Sequence, residues 1–385
     1  MKRIIILGST GSIGKNTLNI IRRMNKHFQV LALAVKNNIR ILERQIHQFH
    51  PKYAAVLDIE SAARLRKKVR GVTVLEGEEG IRSLLELKKA DLVVNSIIGS
   101  AGLQYTHKAI REQLPVALAN KESLVMAGKI IMKLARKNKV PIIPIDSEHS
   151  ALFHLLKRTR PDEIEKIILT ASGGPFLTWR KIDLVNVTPW DALRHPVWRM
   201  GSKITVDSAT MLNKGFEIIE AHHLFDIDFN KIEVIIHPQS IIHSMIQTID
   251  GEIYAQLSPP DMRFPILSAL SFPEMIKNPL KPLGVEKIHR LSFQKPDVKK
   301  FPLLSYAYAI GKKGGNLPAA LTVADEIAVK LFFERKLKFS HIFNKIKQIV
   351  ESVKFIKNPD IEDIFKTERD ILTRYSYSAQ NDRGF

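Results

Sequence analysis

The stretch Ile4-Ile5-Ile6-Leu7-Gly8-Ser9-Thr10-Gly11-Ser12-Ile13-Gly14 decides the fold. Four consecutive apolar residues read as a strand buried on both faces, and the small residues after them open into the helical spacing of Asn16 to Met24. A strand that turns through glycines into a helix lets a pyrophosphate approach backbone N–H groups at a positive helix end. The spacing GxxGxxG is a variant of the dinucleotide fingerprint; the competing reading is an ordinary tight turn.

Working outward, short apolar runs recur at Val30 to Val35, Ala54 to Leu57, Val72 to Leu75, Leu92 to Asn95, Val116 to Ala119 and Ile142 to Ile145. Helix-period segments such as Ile39 to Phe49 lie between several of them, which is the pattern of a parallel sheet with crossover helices. The pattern predicts an α/β protein with an N-terminal doubly wound, Rossmann-like sheet over 1–146. Glycine and proline punctuation predicts a central α+β domain over 147–271, and five prolines and glycines make 272–297 a linker. Helical spacing then predicts a C-terminal bundle over 298–385.

At the end of the second strand the chain reads Lys36-Asn37-Asn38-Ile39-Arg40. An acidic residue here would suit the ribose hydroxyl of NAD, whereas cationic and amide donors suit the 2′-phosphate of NADP. The alternative is that Lys36 and Arg40 are solvated loop charges.

Composition narrows the function classes. The 385 residues are 45% apolar and 25% charged, which is ordinary globular usage and excludes a disordered chain. The longest charge-free stretches, 92–107 and 234–249, are too short for a bilayer span of about 20 residues. No membrane partner is expected, and the four-residue apolar run at Ile4 to Leu7 points to a cytoplasmic protein rather than a leader peptide. With no cysteine, disulfides, thiolate metal sites and cysteine nucleophiles are excluded, so a metal must use oxygen or imidazole ligands, and a semialdehyde dehydrogenase chemistry is ruled out. The net charge of +20 fits nucleic acid, an anionic small molecule, or a lysine-rich surface without specific meaning. Its even spread and the 7% aromatic content argue against nucleic acid.

Two further constellations carry chemistry. Asp146-Ser147-Glu148 follows the apolar strand Ile142 to Ile145, and in an extended segment both carboxylates would face one hard cation at the carboxyl edge of the sheet. The equal alternative is a cap for a helix beginning near Ser150. In Ser208-Ala209-Thr210-Met211-Leu212-Asn213-Lys214-Gly215-Phe216-Glu217, a helix starting near Leu212 puts Asn213, Lys214 and Glu217 on neighbouring positions of one face. Such donors suit a phosphate and Glu217 suits a metal; the bland reading is a surface Lys–Glu pair. Ser172-Gly173-Gly174 can form an anion nest. In His195-Pro196-Val197-Trp198-Arg199-Met200-Gly201, the tryptophan is equally a lid over a substrate or an anchor in the core.

Taken together, the chain closely resembles the 1-deoxy-D-xylulose 5-phosphate reductoisomerases. The resemblance rests on GSTGSIG at 8–14, ANKES at 119–123, IDSEHSA at 145–151, TASGGPF at 170–176, the long block at 195–221 and HPQSIIHSMI at 237–246. It implies a cytoplasmic, homodimeric, NADPH-dependent enzyme of non-mevalonate isoprenoid precursor biosynthesis, using Mg or Mn, with Co as a third option. It implies Asp146, Glu148 and Glu217 as metal ligands, with Lys121, Glu148 and His195 as catalytic residues. Substrate contacts fall to Ser147, Glu148, Ser172, His195, Trp198, Ser208, Asn213, Lys214 and Glu217. Thr10, Gly11, Ser12, Ile13, Lys36, Asn37, Asn120, Glu122 and Gly201 would meet NADPH, and Trp198 and Met200 would lie on the mobile loop. Val35 stands where the family usually has glycine, His243 matches a family histidine without a catalytic role, and no side chain stands out as general base.

Overall fold

The structure, a computed structural model, describes the backbone of residues 1–198 and 200–381 and the side chains of that span as far as Tyr375. Arg199, in the loop singled out above, lies outside the described residues. Two compact units divide the chain: Met1–Asn120, Ile131–Ser150 and Asp261–Leu283 form the first, and Lys121–Ile130, Ala151–Pro260 and Gly284–Phe385 the second.

The first unit is built on seven parallel strands, β1 (Lys2–Leu7), β2 (Phe28–Val35), β3 (Tyr53–Val56), β4 (Thr73–Glu76), β5 (Leu92–Asn95), β6 (Val116–Leu118) and β7 (Ile142–Pro144). Their spatial order is β4-β3-β2-β1-β5-β6-β7, so the winding reverses between β1 and β5. That reversal opens a crevice at the carboxyl ends of these two strands, where doubly wound sheets take their ligands. The crossovers are α1 (Ser12–Arg23), α2 (Ile39–Phe49), α3 (Ile59–Arg66), α4 (Gly77–Leu84), α5 (Leu103–Arg111) and α6 (Glu122–Asn138), of which α6 belongs to this unit only from Ile131 on. Asn38 and Asp58 cap α2 and α3 through their side chains, accepting from Ile41 N and Ser61 N. Ile4, Ile5, Ile6, Leu7 and Leu33 are wholly buried, which explains the unbroken apolar runs. Each such side chain contributes roughly 1.5–3 kcal/mol.

The second unit carries a mixed sheet of β8 (Ile164–Ala171), β9 (Ile232–Ile236), β10 (Ile242–Thr248) and β11 (Ile253–Leu257), in the order β11-β10-β8-β9. Only β8 and β9 pair in parallel. Around it run α7 (Ser147–Leu156), which begins in the first unit, the single turn α8 (Pro189–Ala192), α9 (Ser202–Ala209) and α10 (Leu212–Phe225). After α11 (Arg263–Ser271), which belongs to the first unit, the proline-rich segment makes a short turn at Val285–Lys287 and a single bridge from Gln294 to Ile236. The C-terminal helices follow: α12 (Pro302–Lys313), α13 (Leu317–Phe333), α14 (Ile342–Glu351) and α15 (Ile361–Asn381).

Helix α10 is buried from Leu212 to Ala221 except at half-buried Asn213, and the polar Lys214, Glu217 and Glu220 are buried with the rest. Close approach of α12 explains this. A Cβ on Gly215 would stand 2.4 Å from Ala307 Cβ, and one on Gly311 would stand 2.7 Å from Ile219, so the two glycines permit backbone contact no other residue would allow. The helix bearing three of the candidate site residues is thus clamped by the C-terminal bundle.

Candidate active site

In the first unit the turn after β1 matches its sequence reading. Gly8 has φ +83°, and a Cβ there would sit 2.7 Å from the Ser96 carbonyl oxygen. A Cβ on Gly14 would strike the Gly8 oxygen and Ser9 Cα, both at 2.5 Å. Both glycines are therefore required by space, Gly8 by conformation as well. Gly11 caps α1 with no side-chain bond and gives its own N–H to the Gly8 carbonyl at 3.0 Å, so the helix's first N–H groups, at Ser12 and Ile13, face the β1/β5 crevice, with Thr10 just before the cap. Lys36 and Asn37 stand exposed at the end of β2. Asn120 is buried after β6, with its amide donating to the Ile97 and Gly99 carbonyls at 2.8 Å.

That last contact reveals a piece the sequence reading passed over. Asn95 to Gly102 forms the second lip of the crevice: Ser96 Oγ donates to the Leu7 carbonyl at 2.6 Å, and Gly99 takes φ +79°. The signal was present as a second strand running into Gly99-Ser100-Ala101-Gly102.

Asp146, Ser147 and Glu148 lie at the carboxyl end of β7. Here the geometric premise needs correction. Helix α7 starts at Ser147, not near Ser150, so Asp146 and Glu148 do not alternate along an extended segment. Asp146 caps the helix: its carbonyl accepts from Ser150 N at 2.8 Å and its Oδ1 from Glu148 N at 3.3 Å. The cap forms because the first helical N–H groups need acceptors and the carboxylate favours the positive helix end. Ser147 donates its hydroxyl to the Glu148 carboxylate, and buried His149 holds Nδ1 3.6 Å from Asp146 Oδ1.

In the second unit two groups of expected residues converge. Lys121 Nζ lies 2.9 Å from Asn213 Oδ1 and 3.1 Å from Glu217 Oε1. Asn213 Nδ2 donates to the same Oε1 at 2.6 Å, and Lys214 donates to Oε2. Glu217 is 1% exposed and stands between two ammonium groups, so its buried carboxylate is paired on both oxygens. The surface Lys–Glu alternative is excluded by this burial. Helix periodicity alone brought Asn213, Lys214 and Glu217 together; Lys121 arrives from 96 residues away.

The other group is Ser172, His195 and Ser208. Strand β8 ends at Ala171, and Gly173 and Gly174 follow with φ +85° and +69°. A Cβ on Gly174 would meet the Ser208 carbonyl oxygen at 2.6 Å, so the glycine turn seats directly on the end of α9. His195 Nε2 is 2.9 Å from Ser172 Oγ, while its Nδ1 accepts from the backbone N–H groups of Val197 and Trp198 at 3.2 and 2.9 Å. Burial lowers its pKa to about 4, which keeps the ring neutral. Trp198 lies 6.2 Å, centroid to centroid, from the buried His243 ring; Gly201 caps α9, and Glu122 opens α6. One Tyr-x-x-x-Lys spacing occurs, Tyr308 and Lys312, but that hydroxyl donates to the Phe229 carbonyl and the lysine stands over the tyrosine ring, so it is no reductase pair.

Three consecutive family models cover the chain: 1-deoxy-D-xylulose 5-phosphate reductoisomerase at residues 4–128, its C-terminal domain at 142–225, and the DXP reductoisomerase C-terminal domain at 257–373. Relatives of that name in Thermodesulfovibrio yellowstonii and Caldanaerobacter subterraneus are 47% and 46% identical, over 96% and 97% of this chain and 97% and 98% of theirs. A crystal structure of DOX-P reductoisomerase in complex with NADPH, fosmidomycin and magnesium superposes with TM-score 0.93 at 35% identity, covering 100% of both chains. The Zymomonas mobilis enzyme in complex with NADPH gives 0.89 at 37% identity over 98% of each. With the glycine turn, the buried Glu217 cluster and the Ser172–His195 pair in these positions, the chain belongs to the 1-deoxy-D-xylulose 5-phosphate reductoisomerase family.

Proposed function

We propose that the chain performs its family's reaction: the NADPH- and divalent-metal-dependent isomerisation and reduction of 1-deoxy-D-xylulose 5-phosphate to 2-C-methyl-D-erythrose 4-phosphate, for isoprenoid precursor synthesis. The observation that carries the reading is the convergence of buried Lys121, Lys214 and Glu217, charged groups that no packing need explains, with the half-buried amide of Asn213.

The cofactor reading is supported by the tight glycine turn, in which Gly8 packs on Ser96 and Gly14 on Gly8 and Ser9, and by the N-terminus of α1 that it sets at the β1/β5 crevice, with Thr10, Gly11, Ser12, Ile13, Asn120, Glu122 and Gly201 as the expected contacts. Lys36 and Asn37 would take the 2′-phosphate. The metal reading is supported by donor chemistry. Glu217 is a buried carboxylate that already accepts positive charge on both oxygens, and Asp146 and Glu148 offer hard oxygens at a helix start; all suit Mg or Mn, and Co. When bound, the ion held by Asp146, Glu148 and Glu217 supplies a Lewis acid for adjacent carbonyl and hydroxyl oxygens, and NADPH supplies the hydride.

The chain's own residues do the rest. Ser172, Ser208, Asn213 and Lys214 hold the phosphate, anchoring the substrate through atoms that do not react. His195 assists as a neutral ring: its Nδ1 is occupied by two backbone donors, so its proton sits on Nε2 and points to Ser172 Oγ. That oxygen also accepts from Gly174 N at 3.3 Å, which leaves the Ser172 hydroxyl hydrogen to be given to a phosphate oxygen. Lys121 stabilises oxyanion charge at the reacting carbons beside Ser147. Trp198 and Met200 close over the substrate and exclude water from the aldehyde. In this division 1–146 serves the cofactor and 147–271 the substrate, followed by the linker 272–297 and the helical part 298–385.

A homodimer belongs to the same reading. Strand β11 is a sheet edge, and Ile253, Tyr254 and Leu257 on it are 56%, 48% and 38% exposed, which is unfavourable for a lone edge and suits a second copy. Among the described residues no helix is long and apolar enough to cross a membrane. A cytoplasmic location fits two charged small molecules that do not cross membranes unaided. The deciding measurement follows NADPH absorbance with 1-deoxy-D-xylulose 5-phosphate, with and without Mg or Mn. Metal-dependent consumption is expected, and its absence with both ions would overturn the assignment.

A further inference from the structure

Lys203 occupies the first turn of α9, two residues after the Gly201 cap, and only 14% of its side chain is exposed. Its ammonium lies 2.7 Å from Asp207 Oδ2, on the same face one turn later, and donates to Asp325 of α13. Glu122, at the start of α6, stands 4.0 Å away. The same nitrogen is 5.4 Å from the ring centroid of Phe216, the residue before Glu217 on α10. One side chain therefore touches four helices, and each of α6, α9 and α10 bears residues of the expected site.

Stability alone accounts poorly for this arrangement. One ammonium faces three carboxylates, and Asp207, 3% exposed, has an Oδ1 with no hydrogen-bond partner among the described residues. Burial, reinforced by the charge of Asp325, pushes the Asp207 carboxyl well above its usual range. An unpaired buried oxygen is costly, and apolar residues of similar volume commonly replace buried ion clusters without loss. Features that contradict local energetics concentrate where geometry matters to function. The geometry here is specific. Asp207 immediately precedes Ser208, whose carbonyl abuts Gly174 of the Ser172 turn. Fixing Asp207 to Lys203, and through that ammonium to Asp325, fixes where the Ser208 hydroxyl stands relative to Ser172.

We propose that Lys203 is a positioning residue: its ammonium pins α9 to α13 and to the Phe216 face of α10, and so holds Ser208 in register with Ser172, Asn213 and Lys214 as a phosphate-binding set. The proposal rests on the phosphate role assigned to those residues above. It gives the C-terminal helices a task in substrate binding, exercised through Asp325, which is not among the expected ligand contacts.

The test uses the full-length enzyme and the variants Asp325→Asn, which keeps the shape of the side chain, and Lys203→Met. Expected for Asp325→Asn is a rise of about tenfold in KM for the sugar phosphate, with kcat and the KM for NADPH each within about threefold. Stabilisation of the fold by inorganic phosphate in a thermal melt should shrink in parallel, and Lys203→Met should show both effects more strongly. A folded Asp325→Asn enzyme whose KM and phosphate stabilisation equal those of the parent would overturn the proposal, whether or not its melting temperature had dropped. The phosphate melt requires no turnover, so it judges the positioning role separately from the reaction: a parent enzyme stabilised by phosphate but unable to consume NADPH would refute the assigned reaction and leave the positioning test intact.

Discussion

Ser172 Oγ and His195 Nε2 stand 2.9 Å apart, and the backbone around His195 decides which of them donates. Because Val197 N–H and Trp198 N–H both point at Nδ1, the imidazole proton is confined to Nε2 and the serine oxygen accepts it. Removing the Ser172 hydroxyl should therefore cost a hydrogen bond to a charged phosphate, worth about 1.5–3 kcal/mol, or roughly tenfold to a hundredfold in KM for the sugar phosphate. Steady-state kinetics of Ser172→Ala measure it, and a KM within error of the parent would detach Ser172 from the phosphate.

The same histidine makes stability depend on pH. Its folded pKa, lowered to about 4 by burial, lies below the ordinary 6.5, so the unfolded chain binds more protons between those values. The sign follows directly: as pH falls from about 6.5 towards 4 the His195 contribution to stability is progressively lost, and it is fully present above 6.5. Thermal melts of the parent and His195→Gln at neutral pH and at pH near 5 should show a smaller acid-induced fall for the variant. Equal falls in the two proteins would place the acid sensitivity elsewhere, His223, held down to about 3 by burial, being the next group to examine.

Glu217→Gln removes the negative charge between Lys121 and Lys214. Metal-dependent turnover should drop by about a hundredfold or more, and the two lysines, left facing a neutral amide, should lower the melting temperature. NADPH affinity, measured by fluorescence titration, should stay close to that of the parent, because none of the expected cofactor contacts is changed. Retained turnover at saturating metal and substrate would remove Glu217 from the ligand set.

Lys36 is exposed at the end of β2, so its replacement should leave folding untouched. Lys36→Ala should weaken NADPH by about tenfold, the value of one charge-assisted contact to a phosphate, while the KM for NADH is unaffected. Parallel titration with both nucleotides reads the difference, and equal effects on the two would show that Lys36 does not meet the 2′-phosphate.

Much of this was legible in the residues themselves. The seven strands of the first unit, the glycine turn and the face shared by Asn213, Lys214 and Glu217 follow from local rules: apolar runs, small residues at a strand-to-helix junction, and the helical repeat. At Asp146 to Glu148 the cap alternative describes the backbone and the extended geometry does not, for a reason that is also local: an aspartate before a serine and a glutamate is an effective helix cap, and α7 starts at Ser147 rather than near Ser150. Lys203 and Asp325 went unnoticed because nothing in their immediate neighbourhoods distinguishes them from solvated charges.

The amino-acid order by itself determined the alternation of strands and helices, the positions where only glycine fits, the absence of thiol chemistry, and the family. Tertiary structure alone decided that Lys121 reaches Glu217 across 96 residues, that the Ser172 turn sits on Ser208, and that Lys203 gathers carboxylates from three helices. The reason is physical: backbone periodicity and turn chemistry act over a few residues and leave their mark in the sequence, whereas the pairing of buried charges is set by which helices the packing of small residues, such as Gly215 against Ala307, allows to meet.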